Sequence, residues 1–195
     1  MKKGRIEAFS DGVIAIIITI MVLELKVPHA IEFKNLLELK YVFLSYVLSF
    51  IYVGIYWNNH HHLFVVVSKV NGGVLWANMH LLFWLSMVPF ATAWMGENHF
   101  APVPVALYGF VLLMNGIAYF ILTILLLKHH GHESILAKAL GNDFKGKLSV
   151  VCYVIAIIGS FYQVWIAGGI YLLVALMWLI PDKRIENILH EESTS

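Results

Sequence analysis

Residues 5–25 read RIEAFSDGVIAIIITIMVLEL, and this stretch decides the class of fold. From Gly12 to Leu23 only Thr19 is polar. As a helix that run rises only about 18 Å. A bilayer's hydrocarbon core is about 30 Å thick and takes about 20 residues. A span here must draw in its flanks, so Asp11, Ser10 and Arg5 lie at or inside the membrane boundary. A charge there costs about 2.5–3.5 kcal/mol unless it faces protein or water. Asp11 is therefore a functional-site candidate, weighed against the plainer reading of an interfacial carboxylate that caps the helix.

The rest of the chain agrees with a membrane reading. Of 195 residues, 60% are hydrophobic and only 13% charged, against about 25% charged in ordinary soluble domains. The mean hydropathy is +0.79. A disordered chain needs low hydrophobicity. A nucleic-acid binder needs a basic excess, and 13 Lys+Arg against 12 Asp+Glu supply none. The single cysteine, Cys152, allows no internal disulfide. The N-terminus does not read as a cleavable signal, because Asp11 interrupts the entry to the apolar run and no small-residue cleavage site follows Met21–Leu25.

The expected fold class is all-α, a polytopic membrane protein forming a single domain over residues 1–195. The expected spans are 5–25, 41–67, 74–94, 103–127, 148–167 and 169–180. A short amphipathic stretch, Ile31–Lys40, precedes the second span, and Ser68–Gly73 is a polar turn. Leu148–Ile180 would be about 50 Å long as one helix, so it is read as two. Gly168-Gly169 is the expected break, and the last helix is expected to run on past Pro181 toward Lys183-Arg184. Five spans is the alternative count.

Charge bias orients the chain. With six spans and the N-terminus inside, the inner segments carry Lys2, Lys3, Arg5, Lys69, Lys128, Lys138, Lys145, Lys147, Lys183 and Arg184. The outer ones carry Lys26, Lys34 and Lys40. Both termini are thus expected in the cytoplasm of a cell-membrane protein.

A helical wheel divides the first span. With Ile16 at zero, Thr19 falls at about −60°, Ile20 at about +40° and Leu23 at about −20°, making one stripe. Asp11 falls at about −140°, on roughly the opposite side. Arg5 and Asp11 are six apart and cannot pair along a straight helix. Asp11 therefore takes a partner from another helix, with Asn58, Asn59, His60 and His61 as candidates. That cluster follows Trp57 in the run WNNHHH. Neighbouring helical residues point about 100° apart, so three consecutive histidines cannot ligate one metal. A metal or haem site would need His60 together with a residue such as His80. Interhelical hydrogen bonding is the commoner use of such residues. Asn78, His80, Asn115, Thr123 and Gln163, scattered singly, are read in the same way. Tyrosines and tryptophans are read as an interfacial belt, and His129, His130 and His132 as loop residues. No nucleophile–base pair, HExxH, GxGxxG or P-loop occurs, so the residues propose neither an enzyme nor a cofactor.

Three motifs carry a resemblance. Arg5, Phe9, Ser10 and Asp11 form R-x-x-x-F-S-D. This is similar to the signature opening the first helix of the endolysosomal potassium channel family and its bacterial homologues. Trp57, His60, His61, Leu63 and Phe64 resemble the family's W-x-x-H-H-x-L-F. Asn78 through Thr92 resembles its third-helix pattern. The resemblance implies six helices per repeat and no TVGYG filter, which this chain lacks. A single-repeat chain resembles the bacterial members, which assemble as homotetramers around a central pore lined by the first helix. It further implies a hydrophobic constriction at Ile16, a selectivity-linked hydroxyl at Thr19 and apolar layers at Ile20 and Leu23. Potassium ions and the lipid bilayer are the expected partners. Arg5 would face the inner mouth, compensated by Glu7 or Asp11. Two rival readings stay open: a proton channel or transporter using Asp11 and His60, and a haem- or metal-binding membrane protein using His60 and His80.

Overall fold

The computed structural model describes residues 3–29, 31–65, 67, 69–130 and 144–179. Lys2, Lys138, Lys183, Arg184 and His132, and the expected continuation past Pro181, lie outside them. The helices are α1 (Gly4–Leu23), α2 (Phe33–Glu38), α3 (Lys40–Val65), α4 (Gly72–Ser86), α5 (Val88–Glu97), α6 (Pro102–His130), α7 (Phe144–Ser160) and α8 (Val164–Leu179). Among the described residues, four stretches are long and apolar enough to cross a membrane: Gly4–Leu23, Lys40–Val65, Gly72–Glu97 and Pro102–His130.

Local chemistry sets the boundaries. Asn71 caps α4, its Oδ1 accepting from the Val74 amide at 2.9 Å, which ends the polar turn as expected. The third span breaks at Met87 into α4 and α5. Pro89 sits in the first turn of α5, where its missing amide is tolerated; farther inside a helix its ring would clash with the carbonyl four residues back.

The expected break at Gly168-Gly169 is corrected. Both glycines lie inside α8, and the chain turns at residues 161–163 instead. There the Tyr162 and Gln163 amides both bond the Gly159 carbonyl, at 3.0 and 2.8 Å. A turn at this point separates α7 from α8 within the apolar stretch. A glycine pair weakens a helix by only about 1 kcal/mol per residue, and the packing of α8 on α7 and α3 carries the helix through both.

α1 packs on α3, α4 and α5, while α6 packs on α4, α5 and α7. α8 closes the bundle against α7 and α3. The tyrosines depart from the interfacial reading, since Tyr52, Tyr108, Tyr153 and Tyr171 are buried among the helices. Tyr52 donates to the Tyr171 carbonyl at 2.6 Å, and Tyr171 to the Val105 carbonyl at 3.1 Å. Ser49 Oγ lies 3.0 Å from the Tyr108 hydroxyl and 2.7 Å from Thr92 Oγ1, joining α3, α6 and α5. Lipid supplies no partners, so such groups must be satisfied within the bundle. Their phenolic ends do this while their rings fill space.

Two glycines allow the closest approaches. A methyl on Gly96 would lie 2.7 Å from Val42 Cα, and one on Gly109 would strike the Tyr171 hydroxyl and lie 2.8 Å from its Cζ. Gly109→Ala is expected to force α6 and α8 apart and cost about 1–3 kcal/mol, read as a lowered thermal-unfolding midpoint in detergent. Gly116→Ala, whose methyl meets nothing closer than 3.9 Å, should leave the midpoint unchanged. Equal behaviour of the two variants would show that the α6–α8 approach is not limiting.

Candidate pore helix and its anchor

α1 has two faces at helical spacing. Ile6, Ser10, Ile14, Ile17 and Met21 are buried against the rest of the chain. Ile16, Thr19, Ile20 and Leu23 are exposed, Ile16 at 57% and Leu23 at 77%. The stripe read from the wheel is thus a continuous uncovered face. Thr19 donates its hydroxyl hydrogen to the Ile16 carbonyl at 2.8 Å. A hydroxyl has one hydrogen and two lone pairs, so Thr19 faces outward as an acceptor.

The buried face is fixed by a chain of hydrogen bonds. Ser10 donates to the Ile6 carbonyl at 2.7 Å, leaving its oxygen to accept from Asn78 Nδ2 at 2.9 Å. That sets the amide, so Asn78 Oδ1 faces His60 Nε2 at 2.8 Å and accepts its hydrogen. All three residues are buried, and the chain links α1, α4 and α3. The His60 ring also stacks on Phe64, with centroids 4.5 Å apart.

Asp11 takes a different place from the one expected. Its carboxylate is exposed and accepts from Trp57 Nε1 at 3.1 Å. None of the four candidates, Asn58, Asn59, His60 or His61, is bonded to it among the described residues. Asn59 Nδ2 bonds the Ile55 carbonyl, and the exposed His61 ring stacks on Trp57. The physical reason lies in helix register. Ser10 occupies the centre of the buried face, so the adjacent Asp11 is turned to its edge, where only a long side chain such as Trp57 reaches. Phe9, on the other side of Ser10, is likewise exposed. Glu7 lies 4.0 Å from Lys3, not from Arg5, and Arg5 is exposed without an ion pair among the described residues.

Both ends of α1 are tied by lysines. Lys3 Nζ donates to the Phe64 and Val65 carbonyls, at 2.7 and 3.0 Å, capping the C-terminus of α3. Lys26, just past α1, lies 2.6 Å from Glu97 at the end of α5. The hydrogen bond and charge of Glu97 raise the Lys26 pKa above its ordinary value of 10.5. A raised lysine pKa means the attraction is present at lower pH and lost only as pH climbs through that raised value. Lys26 therefore stays charged at neutrality. Sequence reasoning missed this pair because nothing local joins residues 71 apart.

Other single polar residues divide. Asn115 Nδ2 reaches the Trp84 carbonyl at 3.2 Å, an interhelical bond as expected. His80 instead accepts from Trp84 within α4 at 2.9 Å, and Gln163 lies in the α7–α8 turn. Thr123 Oγ1 is buried without a hydrogen-bond partner among the described residues. His60 and His80 both commit Nε2 to protein partners, and no group of three or more His, Cys, Asp or Glu side chains is placed to hold a metal among the described residues.

The family described as endosomal/lysosomal potassium channel TMEM175 matches residues 5–89, from α1 into α5. A protein of Chryseobacterium sp. (strain P1-3) named a potassium channel is 59% identical, over 98% of this chain and 100% of that protein. The chain belongs to the TMEM175 family. The crystal structure of a lysosomal potassium-selective channel TMEM175 homolog from Chamaesiphon minutus superposes with a TM-score of 0.79 at 31% identity. The superposition covers 92% of this chain and 97% of that one. The human TMEM175, named an endosomal/lysosomal proton channel, is 34% identical over 47% of this chain and only 20% of its own length. The TMEM175 match contains the whole Ser10–Asn78–His60 chain.

Asn78→Leu keeps the shape and strands the Ser10 oxygen and the His60 N–H. It is expected to cost about 1–2 kcal/mol. Trp57→Phe removes only the exposed bond to Asp11 and should cost under about 0.5 kcal/mol. Thermal unfolding of both variants in one detergent checks the order. A larger loss in Trp57→Phe would move the anchor from Ser10 to Asp11.

Proposed function

We propose that this chain is a passive, weakly to moderately potassium-selective channel, a homotetramer with a central pore lined by α1. The observation that carries the reading is the uncovered stripe Ile16–Thr19–Ile20–Leu23 on a helix whose other face is locked to its own subunit. A lipid-facing stripe has no use for an outward acceptor oxygen, whereas a pore does. Four α1 helices about one axis place a ring of Ile16 side chains as a dry constriction that gates by dewetting. One turn outward, four Thr19 oxygens offer lone pairs to a dehydrating cation. Ions are the only substrate, and the reading includes no enzyme activity. One α1 per chain requires several copies in cyclic symmetry. The groove of about 590 Å³ beside the stripe, with Phe90 and Trp94 of α5 on its far wall, leaves room for a neighbouring copy at that wall.

The whole chain acts as one six-span unit in the cell membrane, with α7 and α8 as its last two spans and both ends in the cytoplasm, following the lysine bias. Potassium conduction is favoured over a proton relay for a specific reason. Asp11 and His60 are engaged by different partners, Trp57 and Asn78, so no hydrogen-bonded path joins them among the described residues.

Native mass spectrometry of the detergent-solubilised protein is expected to give a tetramer; a conducting monomer would refute the central pore. Bi-ionic reversal potentials in planar bilayers test the layers. Thr19→Ala is expected to lower the potassium-to-sodium permeability ratio while conduction persists. Ile16→Asn is expected to wet the constriction and raise basal current, with a smaller change in selectivity. Unchanged selectivity in the first together with unchanged current in the second means that α1 does not line the pore.

A further inference from the structure

A second site lies away from α1, in a cavity of about 250 Å³ enclosed by α3, α6, α7 and α8. Its wall is built from Tyr52, Tyr56, Phe120, Val150 and Tyr153, and Lys147 and Trp178 stand at one end. Several lining polar groups are already satisfied by protein. Tyr52 donates to the Tyr171 carbonyl, Asn59 Nδ2 to the Ile55 carbonyl, and Ser149 Oγ donates to the Lys145 carbonyl while accepting from Trp178 Nε1. What faces the space is mainly ring edge and methylene. An ordered water needs two to four polar partners, and an apolar cavity of about 150 Å³ stays dry and takes up benzene. This larger cavity suits a flexible hydrocarbon, and it sits within helices read as spanning a membrane, where acyl chains surround it.

The mouth identifies the rest of the ligand. Lys147 is exposed and has no ion pair among the described residues. Lys145, two residues earlier at the start of α7, lies with its Nζ 6.0 Å from the Trp178 ring centroid. Both lysines belong to the end that the charge bias puts in the cytoplasm. Basic pockets between spanning helices on that side bind anionic headgroups, and a tryptophan there is at home at headgroup depth. We propose that this cavity is a binding site for an anionic glycerophospholipid of the inner leaflet, with one acyl chain between α3, α6 and α7 and the phosphate at Lys147. The site is distinct from α1, and its test does not depend on conduction.

The full-length protein is reconstituted in mixed phosphatidylcholine and phosphatidylglycerol vesicles with a photoactivatable acyl chain on one lipid at a time. Phosphatidylglycerol is expected to crosslink to peptides containing Phe120 and Val150. Lys147→Ala should lower its apparent affinity about fivefold and leave the phosphatidylcholine signal unchanged. Gly116 borders the cavity and has room for a side chain, so Gly116→Leu fills the space and should abolish both crosslinks. Val150→Phe does the same from α7, if the first variant does not fold. Crosslinks confined to other faces of the bundle, equal labelling in Lys147→Ala, or displacement of the headgroup by inorganic phosphate with no change in chain labelling would each overturn the proposal.

Discussion

One amide, that of Asn78, fixes the direction in which α1 faces. Its nitrogen donates to Ser10 and its oxygen accepts from His60, and neither end can be exchanged, because Ser10 has already spent its hydrogen on Ile6. A span buried in lipid has no water to stand in for a lost partner. Rotating α1 by one residue, about 100°, would carry Ser10 out of reach and strand two buried groups. The outward face is therefore a consequence of the inward bond. Ile16 and Thr19 point where they do because Ser10 points at Asn78.

That logic explains why the site was partly legible in the sequence. The stripe Ile16–Thr19–Ile20–Leu23 follows from helical period alone, and the structure leaves that face uncovered. The short apolar run correctly drew attention to residues 10 and 11. Charge then misdirected the choice between them, since a carboxylate attracts more notice than a hydroxyl. The hydroxyl takes the buried centre because it can be satisfied there by one amide and one carbonyl. A carboxylate in the same place would bring a full charge, so Asp11 sits at the edge beside Trp57. Asn78, read only as a scattered interhelical hydrogen bonder, proved to be the link between Ser10 and His60.

The rest of the fold was legible in extent more than in detail. Hydropathy located the helices, because their length answers to the membrane. It could not locate the turn between α7 and α8, which falls at residues 161–163 and not at the glycine pair. Nor could it separate interfacial tyrosines from buried ones, since the difference lies in whether a neighbouring helix offers a polar partner, as residue 171 does to Tyr52 and Ser49 to Tyr108.

The lysines at the two ends of α1 have a mechanical consequence. Lys3 grips the end of α3, and Lys26 grips Glu97 at the end of α5. With Ser10 pinned between them, the helix resembles a beam clamped at both ends and bolted near one of them. Between residues 12 and 25 no side-chain hydrogen bond ties the helix to its neighbours among the described residues, and the packing of Ile14, Ile17 and Met21 alone holds it there. Swinging α1 as a rigid lever would break a clamp, whereas a change of rotamer or a slight bow at Ile16 disturbs none of them. In the proposed pore, the aperture can thus fluctuate while the frame around it keeps its shape.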